Sequence, residues 1–304
     1  MACLSRREFL KGMAAAGTVA AVGGRLAVAG GAPPKKVCGS DVVTLGKTEA
    51  RPTVLGIGTG TRGGSEQRHM GSDAFGRLVR HALDRGVRYI DTADAYMMHT
   101  FVRLALRDVK RDEYCLLTKV RAKHPLVARA DLDRFRRELR TDYFDVVLMH
   151  CMQRPGWPEA MRPVLDVLLE EKQKGRIKAV GVSCHGWKGL VPSVDCPDLD
   201  VHLVRTNPFG KMMDGKPDAV ADQMQKMHAK GRGVIGMKVY GESGFGSKAE
   251  RLESLKYVFG LGCVDCFTIG FSKPEQIDET LELIEQASRE VQTSRASAAS
   301  PFAA

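Results

Sequence analysis

The stretch Ser72-Asp73-Ala74-Phe75-Gly76-Arg77-Leu78-Val79-Arg80-His81-Ala82-Leu83-Asp84-Arg85-Gly86-Val87-Arg88-Tyr89-Ile90-Asp91 holds the unit from which the rest of the chain is built. Phe75, Leu78, Val79, Ala82 and Leu83 recur at i, i+3, i+4, i+7 and i+8, the apolar stripe of an amphipathic helix. Ser72 stands where a helix takes a capping hydroxyl, and Gly86 where it terminates. Val87 to Ile90 follows at once, a short apolar run rich in β-forming residues.

Outward from this unit, strand-like runs recur along the chain. They are Val54 to Ile57, Val87 to Ile90, Cys115 to Thr118, Val146 to Met149, Ile177 to Val182, Val201 to Arg205, Val234 to Met237 and Cys266 to Ile269. Helical patterns separate them: Val164, Leu165, Leu168 and Leu169 precede a Lys174-Gly175 stop, and Ile277, Leu281 and Ile284 form a last helix entered by Pro274. Short strands that are apolar throughout suit a parallel sheet covered on both faces. Eight βα units predict a parallel, eight-stranded (β/α)8 barrel of the TIM type. The other arrangement of such units is a doubly wound sheet, but eight units match the closure of a barrel better. Val42 to Thr48 and Arg51 to Ile57 predict an N-terminal hairpin that plugs the amino-terminal end. The barrel is thus expected over residues 41–286, with a linker at 30–40 and a disordered tail at 287–304 that lacks periodicity.

The N-terminus reads as an address. Ser5-Arg6-Arg7-Glu8-Phe9-Leu10-Lys11 precedes a moderately apolar Gly12 to Val28 and a small-x-small cleavage site, Ala27-Val28-Ala29. Residues 1–29 are therefore expected to be a twin-arginine (Tat) signal peptide, with the Tat export machinery as partner and a bacterial periplasm or cell envelope as destination. Gly17, Gly23, Gly24 and Arg25 interrupt the apolar run, which leaves it too weak for a membrane span. The 304-residue chain has a formal charge of +10. Four basic side chains and one acidic one lie within the signal, so +7 remains on the mature protein. With aromatic content at 6% and no dense basic run or zinc spacing, nucleic acid is not the expected partner. Cleavage leaves seven cysteines, an odd number that cannot all pair. Cys263-x-x-Cys266 lacks the second half of a zinc set and is expected as two buried thiols at a strand entry.

In a barrel of this type chemistry sits at the carboxyl ends of the strands. There the chain reads Tyr89-Ile90-Asp91-Thr92-Ala93-Asp94-Ala95-Tyr96, Thr118-Lys119 and Leu148-Met149-His150. A phenol whose ordinary pKa is near 10 donates a proton poorly at neutral pH, and a neighbouring ammonium lowers that pKa by stabilising the phenolate. Asp91 would hold Lys119 charged, Lys119 would tune Tyr96, and His150 would hydrogen-bond the substrate oxygen as charge develops on it.

These residues, with their surroundings, resemble the aldo/keto reductase family. Leu45-Gly46-Lys47-Thr48 is similar to its opening hairpin, Leu55 to Thr61 to its first strand and cofactor-side loop, and Tyr89 to Tyr96 to its D-T-A-x-x-Y signature. Arg111-Asp112-Glu113 to Thr118-Lys119, Leu139 to His150, and Lys174 to Ser183 resemble three further segments. The resemblance spans about residues 41–286 and implies reduction of a small-molecule aldehyde or ketone by NADPH, with NADH as the alternative. It makes Tyr96 the general acid, Lys119 its tuner, Asp91 the partner of the lysine and His150 the substrate orienter. For the cofactor it implies Gly58, Thr59, Asp91 and Ser183, with Gly270, Ser272, Gln276 and Glu279 at the adenosine end and Lys238 with the Gly241 to Gly246 loop near the pyrophosphate. The chain departs from the family at Met97, which replaces the glycine after the tyrosine, and Met98-His99 continue a bulky wall. Cys184 replaces an asparagine, no nicotinamide-stacking glutamine stands near Leu203 to Asn207, and Gln276 replaces an arginine, leaving Lys273 to supply charge without a bidentate fork.

Two other readings compete. His150, Cys151, Cys184 and His185 follow adjacent strands and offer imidazole and thiolate ligands for a metal-dependent barrel hydrolase. An exported compartment lacks a ready supply of reduced nicotinamide, which favours a barrel that binds a nucleotide or another ligand without turnover.

Overall fold

The computed structural model describes residues 37–298, so the signal at 1–29 and most of the expected linker lie outside the described residues. Eight parallel strands close in sequence order into a barrel, with β8 paired back onto β1. The strands are β1 (Leu55–Gly58), β2 (Tyr89–Asp91), β3 (Cys115–Val120), β4 (Phe144–Met152), β5 (Ile177–Cys184), β6 (Val201–Arg205), β7 (Gly233–Met237) and β8 (Cys266–Ile269). Around them run α1 (Ser65–His69), α2 (Gly71–Asp84), α3 (His99–Ala105), α4 (Pro125–Leu139), α5 (Trp157–Ala160), α6 (Arg162–Gln173), α7 (Trp187–Ser193), α8 (Pro217–Ala229), α9 (Lys248–Leu261) and α10 (Pro274–Ala298).

Period-two alternation divides the apolar residues into two cores. Tyr89, Cys115, Leu117, Val146, Leu148, Val201, Leu203 and Ile235 fill the barrel interior. Their neighbours Ile90, Leu116, Val147, Val180, Val182 and Val234 pack outward against the helices. Large and small residues interdigitate inside. A Cβ at Gly56 would collide with the Tyr89 ring, so the glycine makes room for the phenol. The expected hairpin is present as one antiparallel bridge, Val42 to Thr53. It drives Leu45, fully buried, into the amino end of the barrel against Gly233, while the Lys47 amide donates to the Gly231 carbonyl at 3.1 Å.

Three expectations need correction. Ser72 does not cap α2, which begins one residue earlier at Gly71 with no side-chain cap; Gly86 terminates it as expected, at φ +82°. The tail is not disordered from 287, because α10 continues to Ala298. Ala287 is fully buried, Ser288 Oγ meets the backbone of Val37, and Arg295 donates to the Gly260 carbonyl at 2.7 Å, so packing supplies what periodicity did not announce. Nor are residues 37–40 a loose linker: the Leu55 amide donates to the Gly39 carbonyl and the Cys38 amide to Asp41 Oδ2.

No disulfide joins any two of the seven described cysteines; Cys263 and Cys266 are the buried pair expected at the entry to β8. Leu45→Ala is expected to lower unfolding free energy in urea by about 2–5 kcal/mol through the cavity it opens. A loss below that range would mean that the hairpin is not a plug.

Candidate active site

The alternation that fills the interior also builds the site. Two residues beyond inward-facing Tyr89, Leu117 and Leu148, the same side of β2, β3 and β4 carries Asp91, Lys119 and His150. All three are buried. Lys119 Nζ makes an ion pair with Asp91 and donates to the Thr92 carbonyl at 3.0 Å, leaving one of its three N–H groups for the phenol. It lies 4.9 Å from the centroid of the Tyr96 ring. His150 stands edge-on to Tyr96 with centroids 5.5 Å apart.

Tyr96 is carried by a 3-10 turn, Asp94–Tyr96, that several contacts fix in place. Arg134 donates to Asp94 at 2.8 Å and ties the turn to α4. Arg68 donates to the Tyr96 carbonyl. Met97 closes the turn at φ +56°, a left-handed conformation that glycine adopts more easily. Gly60 is required for close approach, since a Cβ there would lie 2.5 Å from Tyr96 Cζ and 2.9 Å from its hydroxyl.

Burial outweighs Lys119 at the phenol. In the protein alone Tyr96 sits above its ordinary pKa, with Lys119 pulling it back down, so the expected net lowering is not found. Burial also opposes the charge on Lys119, but Asp91 and Tyr96 overcome it and hold the ammonium above its usual value. His150 is pushed down to about 2 by burial, then by Lys119, His185 and Arg121. It is a neutral imidazole at physiological pH, and its Nδ1 is buried without a partner.

A cavity of about 360 Å³ runs from Asp91 and Tyr96 across the ends of β1, β8 and β7 to the first turns of α10. Gly58, Lys238, Gly270, Gln276 and Glu279 line it, together with Glu242 to Gly246 of the glycine-rich loop except Gly244. Three of the expected cofactor residues do not line it. Thr59 is buried, its hydroxyl turned to the Asp91 carbonyl and the Thr92 hydroxyl. Ser183 Oγ accepts the Cys151 amide at 3.0 Å. Ser272 donates its amide to Gln276 Oε1, as does Lys273, so the glutamine caps the loop itself. Lys238 is paired with Glu242 at 2.5 Å, and Glu279 with Arg251 at 3.0 Å. Arg251, absent from the expected set, is the guanidinium at the far end of the cavity; it lies on α9, and no motif marks it.

The hydrolase reading fails on the pleat. Alternation turns Cys184 outward into the helix-facing core while His150 faces in, and among the described residues no three donor atoms of His150, Cys151, Cys184 and His185 converge. One convergent group does exist, Asp94, His99 and Glu138, within 4.8 Å of one another. A cation is already there: Arg134 donates to Asp94 at 2.8 Å and Glu138 at 2.9 Å.

His150 at about 2 and buried His202 at about 3 both lie far below the roughly 6.5 of an unfolded chain. As pH falls below 6.5 the unfolded state takes up protons that the native state refuses, so each imidazole lowers stability by up to about 1.4 kcal/mol per pH unit. His202→Gln is expected to flatten the fall in urea-measured stability between pH 6.5 and 4.5, and an unchanged slope would count against a neutral His202.

Comparison with known proteins accords with this geometry. The Aldo/keto reductase family model matches residues 54–257, and the TAT (twin-arginine translocation) pathway signal model matches residues 3–23. Aldo-keto reductase YhdN of Bacillus subtilis is 28% identical over 47% of this chain and 46% of its own length. Methylglyoxal reductase DkgB of Salmonella typhi is 32% identical over 34% of this chain and 40% of its own. The chain thus matches less than half the length of these curated relatives. An aldo-keto reductase structure from Pseudomonas aeruginosa superposes with a TM-score of 0.69 over 83% of this chain and 97% of that one, at 21% identity. Among the described residues no helix is long and apolar enough to cross a membrane. With its family model matched over two thirds of its length, closed by eight parallel strands and led by a twin-arginine signal sequence, the chain belongs to the aldo/keto reductase family.

Proposed function

We propose that the protein reduces an aldehyde or ketone to an alcohol with a nicotinamide cofactor, Tyr96 serving as the proton donor. The observation that carries this reading is the meeting of Tyr96, the Asp91–Lys119 ion pair and a neutral His150 at one end of a long cavity.

An extended dinucleotide would lie along the cavity. The cavity reaches from the phenol to the first turns of α10, with Lys238 and Arg251 as cations along it and Gly58 and Gly270 in its lining. When bound, the nicotinamide supplies the hydride. Arg251, with Lys273 at the loop before α10, suits a 2′-phosphate, and Glu279 suits a ribose hydroxyl. NADPH is the expected preference, on the strength of the Arg251 guanidinium at the far end of the cavity, and NADH is the alternative.

The chain's own residues then handle the proton. His150 cannot donate it as an acid, because a group that protonates near pH 2 is already neutral, but its N–H can bond the substrate oxygen and orient the carbonyl. Tyr96 gives its proton to that oxygen as charge develops there. Lys119 stabilises the phenolate left behind, and Asp91 keeps Lys119 charged and aimed. Burial alone would make the phenol a weak donor, so this step rests on the ammonium beside it.

A small carbonyl is the substrate class, and methylglyoxal, named for the relative DkgB, belongs in the first panel. Export by the twin-arginine route would place the reaction in a bacterial periplasm or cell envelope. Titration with NADPH and NADH, followed by nicotinamide fluorescence, tests the cofactor; binding of neither overturns the reading. Nucleotide binding with no carbonyl reduced would leave a barrel that binds without turnover. Tyr96→Phe is expected to keep nucleotide affinity within about threefold and to cut carbonyl reduction by about 100-fold or more, the loss typical of removing a general acid. Turnover retained in that variant would take Tyr96 out of the mechanism.

A further inference from the structure

Beyond His150 lies a second polar cluster that the proton transfer does not use. Arg205 ends β6 on the inward side, two residues past Leu203. Its Nη2 donates to His185 Nδ1 at 2.6 Å, and its Nη1 lies 3.3 Å from Asp214 Oδ1. The same Oδ1 accepts the Gly186 amide at 2.7 Å. Because Nδ1 of His185 is the acceptor of a guanidinium N–H, the proton of the neutral ring sits on Nε2. The His185 ring is edge-on to His150, with centroids 6.2 Å apart, and His150 in turn faces Tyr96.

Three buried polar atoms in this cluster have no partner: Arg205 Nε, Asp214 Oδ2 and His150 Nδ1. Leaving such groups unmet costs stability, and a ligand that meets them is one reason for a native protein to keep three in one cluster. The charge balance points to the ligand's sign. Burial is the first reason that both rings stay neutral; beyond it, Lys119 and Arg121 act on His150, and Arg205, Lys238 and Lys119 outweigh Glu242 at His185, so both imidazoles are neutral donors among more cations than anions. A neutral N–H backed by a guanidinium favours a charged oxygen acceptor over a neutral one.

We propose that His185, fixed as its Nε2–H tautomer by Arg205, is a specificity-determining residue that receives a carboxylate on the substrate, so that the site takes oxo acids or aldehyde acids. The acid group would meet His185, with Arg205 behind it, while the reacting carbonyl lies between His150 and Tyr96. The carbonyl half of this assignment rests on the reductase reading, and the carboxylate half does not.

The test is therefore a binding one. Benzoate and its neutral isostere benzamide are titrated into the full-length protein by calorimetry, with wild type, His185→Ala, Arg205→Met and Asp214→Asn compared at matched melting temperature. Wild type is expected to bind benzoate at least tenfold more tightly than benzamide, and the preference to fall below threefold in His185→Ala and Arg205→Met. Asp214→Asn removes the opposing charge while keeping an oxygen for the Gly186 amide, so the preference there is expected to hold or grow; a role that is merely structural would shrink it. Equal binding of the two by wild type, binding of neither, or a preference that persists in both His185→Ala and Arg205→Met overturns the proposal. A benzoate preference that follows the expected pattern in a protein reducing no carbonyl would strike the reductase reading and leave the carboxylate site standing.

Discussion

In a closed barrel of parallel strands each strand must turn every second side chain inward, and those side chains share one narrow volume. Here that constraint fills the lower interior with Tyr89, Leu117 and Leu148, and the next inward positions are Asp91, Lys119 and His150. The charged pair is thus placed by the same pleat that packs the core. No loop has to bring these residues together, which is why they can be buried and still be held to one geometry. The turn that carries Tyr96 is the one part of the site that the strands do not position. It is fastened separately, by Arg134 through Asp94 and by Arg68 through the Tyr96 carbonyl, over a floor that Gly60 keeps open.

Burying Asp91 and Lys119 together is a poor source of stability, since desolvation offsets much of the attraction, yet removing either partner strands a charge in the interior. The pair is better understood as the fixed field under the phenol. The same burial that raises the Tyr96 proton affinity also removes water that would screen Lys119, so the opposing effects have one origin.

Much of this was legible from residue order. Strand runs such as Val201 to Arg205 and Cys266 to Ile269 coincide with the observed strands because short apolar segments between helical stripes admit little else. Asp91, Lys119 and His150 were legible because strand-end position is a property of the sequence. What escaped depends on partners distant in the chain. Ser183 and Thr59 look available until the Cys151 amide and the Asp91 carbonyl are seen to engage them. Arg251 faces the cavity from a helix whose apolar pattern is weak, and α10 continues past 286 because Val37 and the Gly260 carbonyl, not its own periodicity, hold it. Arg205 did end a strand, and its inward parity with Leu203 was a signal that could have been read.

None of the seven described thiols is joined to another, and five of them are buried in the packed layers of the barrel. The fold therefore asks nothing of an oxidising compartment: no crosslink has to form after transport for the hairpin plug, the closed sheet or the site to be complete. That suits a signal of the twin-arginine type, a route that carries proteins already folded. A protein of this design can be finished, and loaded with whatever it binds, on the reducing side of the membrane, so that crossing it becomes a change of surroundings and not a stage of folding.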